Sequence, residues 1–561
     1  MLGSEGRAAS AGRGVYYEGM RDPLQLLTRW VRRHWRWVGP ILLFLVATGF
    51  LASLQWNTMF ADPDSFYHVK MALLIRDHGV VHDFPWMAFT NFPERFVDQH
   101  FLYHVALIPF VSLFPPLVGG KVATVTFAGL FAVTFYLLLR SFRVRFAFVL
   151  TLVLFTINPF TFRLSLTKAP GVSLILLFAI IAALFHYRPR WVFALCFIYG
   201  WFYGGSPLAL VVAGAFVAVS LVRHLVLMRR DHDHRLRRLF ASVADRFEWR
   251  YRRHLLWTLA STAVAGVVLG LVINPYFPKN LSFAMDQLIR IGIINYQKVI
   301  GVGGEWYPYA FTELVPNTVA LSILLVLSLV LGAVNVRKMS ARSWTLAVLT
   351  AFFLLLTLKS RRYIEYYVPV GILFSGFALH DALAGMRVRR YWEDFWSWAL
   401  RSTAHLTGVV ILLLYVAAAF TTIVARDYLT EQGDLRRGFG FTQYQGAMTW
   451  LQNHSPQDSL VFQSDWDEFP SLFYFNDHNR YIVGLDPTFF YTFDQTHYWQ
   501  WVDVTTGKAK QPLLPLLRND FGAEYVFVDR NHGAMDALFR GSADFPLVYS
   551  DSEAYIYHVG P

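Results

Sequence analysis

Residues 38–56 read VGPILLFLVATGFLASLQW, and this stretch decides what kind of protein the chain is. It carries no charge and comes close to the roughly 20 apolar residues that an α-helix needs to cross a bilayer. It follows a basic, Arg-rich segment, residues 1–37, and no small-residue cleavage site ends it, so it reads as a retained anchor. Val122–Leu139, Gly171–Tyr187, Pro207–Met228 and Leu255–Tyr276 are runs of the same kind. Of 561 residues, 55% are hydrophobic and 16% charged, whereas soluble domains are about a quarter charged. The expected class is a polytopic α-helical membrane protein. A net charge of +12 would suggest nucleic acid in a soluble protein, but here it reads as Lys and Arg gathered in cytoplasmic loops, with no nucleic-acid partner. The one cysteine, Cys196, lies in an apolar run, which excludes an intrachain disulfide and a cysteine metal site.

About eleven spans are expected, twelve or thirteen at the upper end: 38–56, 122–139, 146–160, 171–187, 191–204, 207–228, 255–276, 317–336, 343–358, 363–380 and 406–425. Phe101–Val118 is apolar too, but contains His104, Pro109, Pro115 and Pro116. If it stays outside, the clusters Arg140/Arg143/Arg145, Arg188/Arg190, Arg229–Arg253, Arg337/Lys338/Arg342 and Arg387/Arg389/Arg390 all face the cytoplasm, as the positive-inside rule requires. The odd count puts the amino terminus inside. Residues 1–37 are then a cytoplasmic basic terminus. Residues 38–425 form the membrane domain, with outer loops 57–121 and 277–316, and 426–561 form an extracytoplasmic domain. That tail has strand-like runs at Ser459–Gln463, Arg480–Leu485, Glu524–Asp529 and Glu553–Val559 and is expected to be α/β.

Four groups of residues could do chemistry, and each has a plainer reading beside it. Asp62-Pro63-Asp64 with His68, followed by Asp98, His100 and His104, would suit a divalent cation or a reacting proton. Asp62 or Asp64 could equally cap the helix that follows. Glu313, with Glu305 upstream, places a carboxylate near a membrane boundary. Lys359-Ser360-Arg361-Arg362, like Arg163 and Lys168, leaves cations on the outer side, where a guanidinium fork matches phosphate oxygens; interfacial anchoring is the alternative. Asp465-Trp466-Asp467, after a strand-like run, suits recognition of a small polar group, or is a packed turn.

Taken in order, these groups resemble the catalytic subunit of oligosaccharyltransferase and its single-chain bacterial relatives, membrane glycosyltransferases of the GT-C class. The resemblance runs from Asp64 to about Leu485. Asp64-Ser65-Phe66-Tyr67-His68-Val69-Lys70 is similar to the family's Asp-x-Tyr-Tyr-His-x-Arg. Arg362-Tyr363-Ile364-Glu365-Tyr366-Tyr367-Val368-Pro369 is similar to its Arg-Phe-x-x-Tyr-x-x-Pro. Asp465-Trp466-Asp467 stands where the family has Trp-Trp-Asp, the acceptor-binding signature, with the first Trp replaced by Asp465. The family's outer-loop Glu corresponds to Glu313, or failing that to Glu305. A second departure is sharper: the acidic pair that completes the family's metal site has no counterpart in Phe162–Pro170, which holds no acid.

The resemblance implies glycosyl transfer from a polyprenyl-phosphate or -diphosphate donor to an extracytoplasmic protein or glycan, at the inner membrane. Asp64 and Glu313 are the implied catalytic residues, and Asp465, Trp466 and Asp467 the acceptor site. A metal-dependent version would hold Mg²⁺ or Mn²⁺ on Asp62, Asp64, His68, Asp98 and His100. A metal-free version, which the missing acids favour, would rely on Arg163, Lys168, Arg361 and Arg362 to bind the donor phosphate and offset its charge. The rival readings are a polyprenyl-monophosphate-dependent monosaccharide transferase acting on lipid or glycan, and a non-catalytic lipid-glycan binder or transporter.

Overall fold

The computed structural model describes residues 23–231, 243–384, 386 and 388–560; the expected cytoplasmic residues 1–22 and part of the Arg229–Arg253 cluster lie outside them. Among the described residues, six helices are long and apolar enough to cross a bilayer, the longest being Thr403–Leu435 and Pro23–Leu54. Two bent pairs raise this to eight at most, so the expected eleven spans are not all met by long helices. Proline accounts for part of the shortfall, because its ring removes a backbone donor and displaces the preceding turn; the expected span 363–380 is instead an unbroken 19-residue helix, Ile364–Ala382, made less apolar by Glu365, His380 and Asp381. Ala147–Thr156 and Asn158–Leu164 meet at 86° just before Pro159, and Phe311–Asn317, which contains Pro316, meets Val319–Val334 at 95°. Pro170–Phe185 and Pro189–Phe202 each begin at a proline and stay at 16 and 14 residues. Phe101–Leu113 is a helix of only 13 residues, about 20 Å long and short of the roughly 30 Å hydrocarbon core.

The tail carries a five-stranded mixed sheet. Its strands are β3 (Leu460–Gln463), β4 (Arg480–Tyr481), β5 (Ala523–Asp529), β6 (Leu547–Ser550) and β7 (Ala554–His558), in the order β4-β3-β5-β7-β6. β3 is parallel to both β4 and β5, and β7 is antiparallel to β5 and β6. The edge at β4 is covered by the first outer loop: Tyr481 donates to the Trp86 carbonyl at 2.9 Å, and Ala88 donates to the Tyr481 carbonyl at 2.8 Å. A second tie is a two-strand ladder of β1 (Met59–Phe60) with β2 (Phe439–Gly440). Phe84, Met87, Phe92 and Phe96 of that loop share one buried cluster with Met448, Phe469 and Phe473 of the tail. Loop and sheet domain thus form one core, and their seam with the helical bundle holds the cavity described next.

Candidate active site

A cavity of about 1220 Å³ opens between bundle and sheet domain. Its lining includes Asp64, Arg163, Lys168, Glu305, Arg362 and Trp466, which come from five separate stretches of the chain.

On one wall, Asp64 opens the helix Asp64–His78, and the Asp62 carboxylate accepts the Asp64 amide at 2.9 Å, as a capping residue does. Both carboxylates also grip the Lys168 ammonium, each at 2.8 Å. Burial pushes Asp64 up to about 6, with Lys168 opposing. Burial alone would lower Lys168; Asp62 and Asp64 outweigh it and hold the ammonium above its ordinary range.

Opposite stands an arginine pair. Arg163 donates through Nε and Nη2 to Glu365 at 3.1 and 3.0 Å, and through Nη1 to Glu305. Arg362 donates Nη1 to the other Glu305 oxygen at 2.7 Å and Nη2 to the Tyr203 hydroxyl at 3.1 Å; its guanidinium lies 5.0 Å from the Trp306 ring centre. Burial would raise Glu305, but Arg362 and Arg163 outweigh it and keep the carboxyl well below its usual range.

Behind Asp64, one helical turn on, His68 begins a buried chain. The Asp98 carboxylate is 2.7 Å from His104 Nδ1, and His104 Nε2 is 2.7 Å from His68 Nδ1. If Asp98 accepts from His104, then His68 donates Nδ1–H to His104 and keeps the lone pair of Nε2, an assignment drawn from the network. The other Asp98 oxygen accepts the His100 amide at 2.9 Å, while the His100 ring stacks on Tyr203 at 5.6 Å. Burial lowers His68 well below the ordinary histidine range and His100 to about 3.

The third wall comes from the turn after β3. Trp466 and Asp467 line the cavity. Asp465 does not: its carboxylate accepts the Trp466 amide at 2.7 Å and lies 3.9 Å from His532. Burial, and then the nearby Asp465 carboxylate, push Asp467 up to about 7.

The expected Mg²⁺ or Mn²⁺ set is not assembled. Among the described residues no group of three His, Cys, Asp or Glu is placed to hold a metal. Asp62 and Asp64 are engaged by an ammonium, His68 and Asp98 by His104, and His100 faces Tyr203. These residues do not fit a divalent cation. Glu313 also sits apart from its expected place: it is half exposed, pairs with Arg361 at 3.0 Å and does not line the cavity, whereas Glu305 does. Arg361 lines the rim and shows 45% of its side chain.

Among the buried acids that sequence reasoning left without a role, two stand on the helical bundle, Glu365 and Glu431. Glu365 is fully buried behind Arg163, and its signal was an acid inside an otherwise apolar span. Glu431, 1% exposed, accepts from Thr161 and Ser165; neither its spacing nor its composition marked it.

The architecture is a helical membrane domain capped by an α/β domain, with a charged cavity at their seam. Among solved structures it is that of the archaeal oligosaccharyltransferase AglB from Archaeoglobus fulgidus. The apo form of that enzyme superposes with a TM-score of 0.59 at 13% identity, covering 95% of this chain and 75% of that one. Its complex with an inhibitory peptide and a dolichol-phosphate gives 0.57 at 12% identity over the same shares. Its complex with Zn and sulfate gives 0.52 at 14%, covering 92% and 73%. No protein-family profile matches the chain, and no curated protein matches it by sequence. At such identities the likeness speaks for the fold alone: with six to eight apolar helices long enough to cross a bilayer among the described residues, the chain is a multi-pass membrane protein that shares the architecture of that oligosaccharyltransferase.

Proposed function

We propose that the chain is a membrane glycosyltransferase. It moves a sugar or oligosaccharide from a polyprenyl mono- or diphosphate to a protein or glycan acceptor on the extracytoplasmic side of the inner membrane. The observation that carries this reading is the meeting, in one cavity, of a carboxylate that burial raises to about 6, Asp64, with three cations, the buried Arg163 and the partly buried Lys168 and Arg362. The acceptor nucleophile attacks the anomeric carbon and gives its proton to Asp64. The bond from that carbon to the phosphate oxygen breaks, and the polyprenyl phosphate leaves with the electron pair. A general base whose pKa lies near the working pH is the effective kind. Fixed cations facing the developing phosphate charge need no reorganisation during the step. Trp466 and Asp467 form the wall on which the acceptor rests. The neighbours' dolichol-phosphate and peptide complexes fit this assignment of donor and acceptor.

Purified chain in liposomes, given radiolabelled polyprenyl-linked glycans, tests the reading through label leaving the lipid. Release should fall about a hundredfold or more in Asp64→Ala and persist undiminished in EDTA. Release that ignores the substitution would remove Asp64 from the reaction, and release abolished by EDTA would return a metal to it. Because Lys168 already neutralises Asp64, a non-catalytic glycan-lipid binder is the second reading; donor binding with no release from any variant would favour it.

A further inference from the structure

Glu305 holds an unusual place. Its two carboxylate oxygens each accept from a different arginine, Arg362 at 2.7 Å and Arg163 on the other side. Bridging two guanidinium forks is what an oxygen-rich anion such as phosphate does. These are the two arginines that the reading above asks to meet the donor phosphate, and with Glu305 in place both are occupied. From this arrangement we propose that Glu305 is a built-in stand-in for the donor phosphate, and that the slot it fills is matched to a single phosphodiester, making the donor a polyprenyl monophosphate sugar. This rests on the transferase reading and narrows its donor.

The charge argument is local. Arg163 is already neutralised by Glu365, which takes both its Nε and Nη2. Lys168 is more than offset by two carboxylates, Asp62 and Asp64. Once Glu305 swings aside, Arg362 is the cation of this inner group left uncompensated. A phosphodiester carries one negative charge, as the Glu305 carboxylate does, so it replaces that carboxylate one for one. A diphosphate brings a second negative charge beside Asp62 and Asp64 and would have to recruit a further cation of the lining: Lys359, tied to the Ile293 carbonyl, Arg361, paired with Glu313, Arg426, paired with Asp427, or Arg437.

The exchange needs no loop opening. The backbone of the Glu305 turn is pinned to the arginine-bearing segment: Ser360 Oγ donates to the Glu305 carbonyl at 2.8 Å, and the Arg361 amide donates to the Tyr307 carbonyl at 2.9 Å. With the backbone held, the exchange proposed is a rotation of the Glu305 side chain. An anion that must first be displaced lowers the apparent donor affinity by the fraction of time the slot stands open.

Binding to the full chain in nanodiscs tests this, with methyl farnesyl phosphate as the phosphodiester and the terminal methyl ester of farnesyl diphosphate, one charge more, as its rival. Glu305→Gln should bind the phosphodiester about tenfold tighter than wild type, the worth of one charge-assisted contact. Glu305→Ala should tighten it comparably, which guards against a glutamine that bridges the arginines itself. Arg362→Gln should abolish the gain, and the diphosphate should bind no better than the phosphodiester in any variant. Unchanged or weaker binding in both Glu305 variants overturns the stand-in, and a preference for diphosphate overturns the donor class. If neither probe binds any variant, the phosphate slot itself fails and the transferase reading fails with it.

Discussion

At the scale of single residues the decisive side chain is Lys168. The sequence marked it as a cation where the family pattern has acids, and left open whether it replaced a metal or merely anchored a helix. The structure sets its ammonium 2.8 Å from both Asp62 and Asp64, a link across about a hundred residues that spacing alone could not show. Its consequence is a pH dependence. In the proposed reaction Asp64 must be ionised to accept a proton, and its carboxyl is raised to about 6 by burial, with Lys168 holding it down. The transfer rate should therefore fall about tenfold per unit as pH drops below about 6. Lys168→Met removes the group that favours the ionised form, so the acid limb should move upward, by about one to three units. A pH profile of kcat/KM for the two proteins checks this. A limb that moves to lower pH, or stays in place, would mean that Asp64 is not the titrating group. Glu305 teaches the complementary lesson. Its position in the sequence made it second choice to Glu313, because proximity to a membrane boundary was the cue. Which of two loop carboxylates turns inward is decided by partners contributed from elsewhere, Arg163 and Arg362.

At the scale of elements, apolar runs were legible and their continuity was not. Hydropathy counts residues, whereas a proline inside or before a run changes the direction of the axis, as at Pro159 and Pro316. The four strand-like runs of the tail lie on β3, β4, β5 and β7, but β6 was missed, because Leu547-Val548-Tyr549-Ser550 is half exposed and shows no alternation. Another element-level feature stood in the sequence unread: Gly266-Val267-Val268-Leu269-Gly270, small residues four apart on the helix Val243–Val272. Such spacing lets two helix backbones approach closely in a membrane. Here the partner is Pro189–Phe202, and a Cβ on Gly270 would come within 2.4 Å of the Phe197 carbonyl oxygen. Trp201 Nε1 donates to the Gly270 carbonyl at 2.7 Å at the same crossing. Gly270→Val should force the helices apart and destabilise the protein by about 1–3 kcal/mol. A lowered thermal midpoint in detergent, with Gly214→Val as a control whose Cβ would meet nothing within 4 Å, is the measurement. Equal midpoints for the two variants would show that this crossing is not a tight one.

At the scale of the whole molecule the sidedness of the site decides what it can act on. The positive-inside pattern orients the chain from the distribution of Lys and Arg alone. The fold adds that the cavity lies at the seam of bundle and sheet domain, so the face that carries the sheet domain is the face where the proposed transfer takes place. The lone cysteine makes this testable with little background, because Cys196 is fully buried. Ala543→Cys places a thiol on the exposed surface of the sheet domain, and Val336→Cys places one beside the basic cluster Arg337/Lys338, where the side chain is half exposed. In intact spheroplasts a membrane-impermeant maleimide should label Ala543→Cys at once. It should reach Val336→Cys only after permeabilisation, and leave the parent chain unlabelled. The opposite pattern would turn the site to the cytoplasm, where activated nucleotide sugars are at hand, and a lipid carrier would lose its purpose. Labelling as expected removes nucleotide donors from reach and leaves the membrane itself as the route by which the sugar arrives.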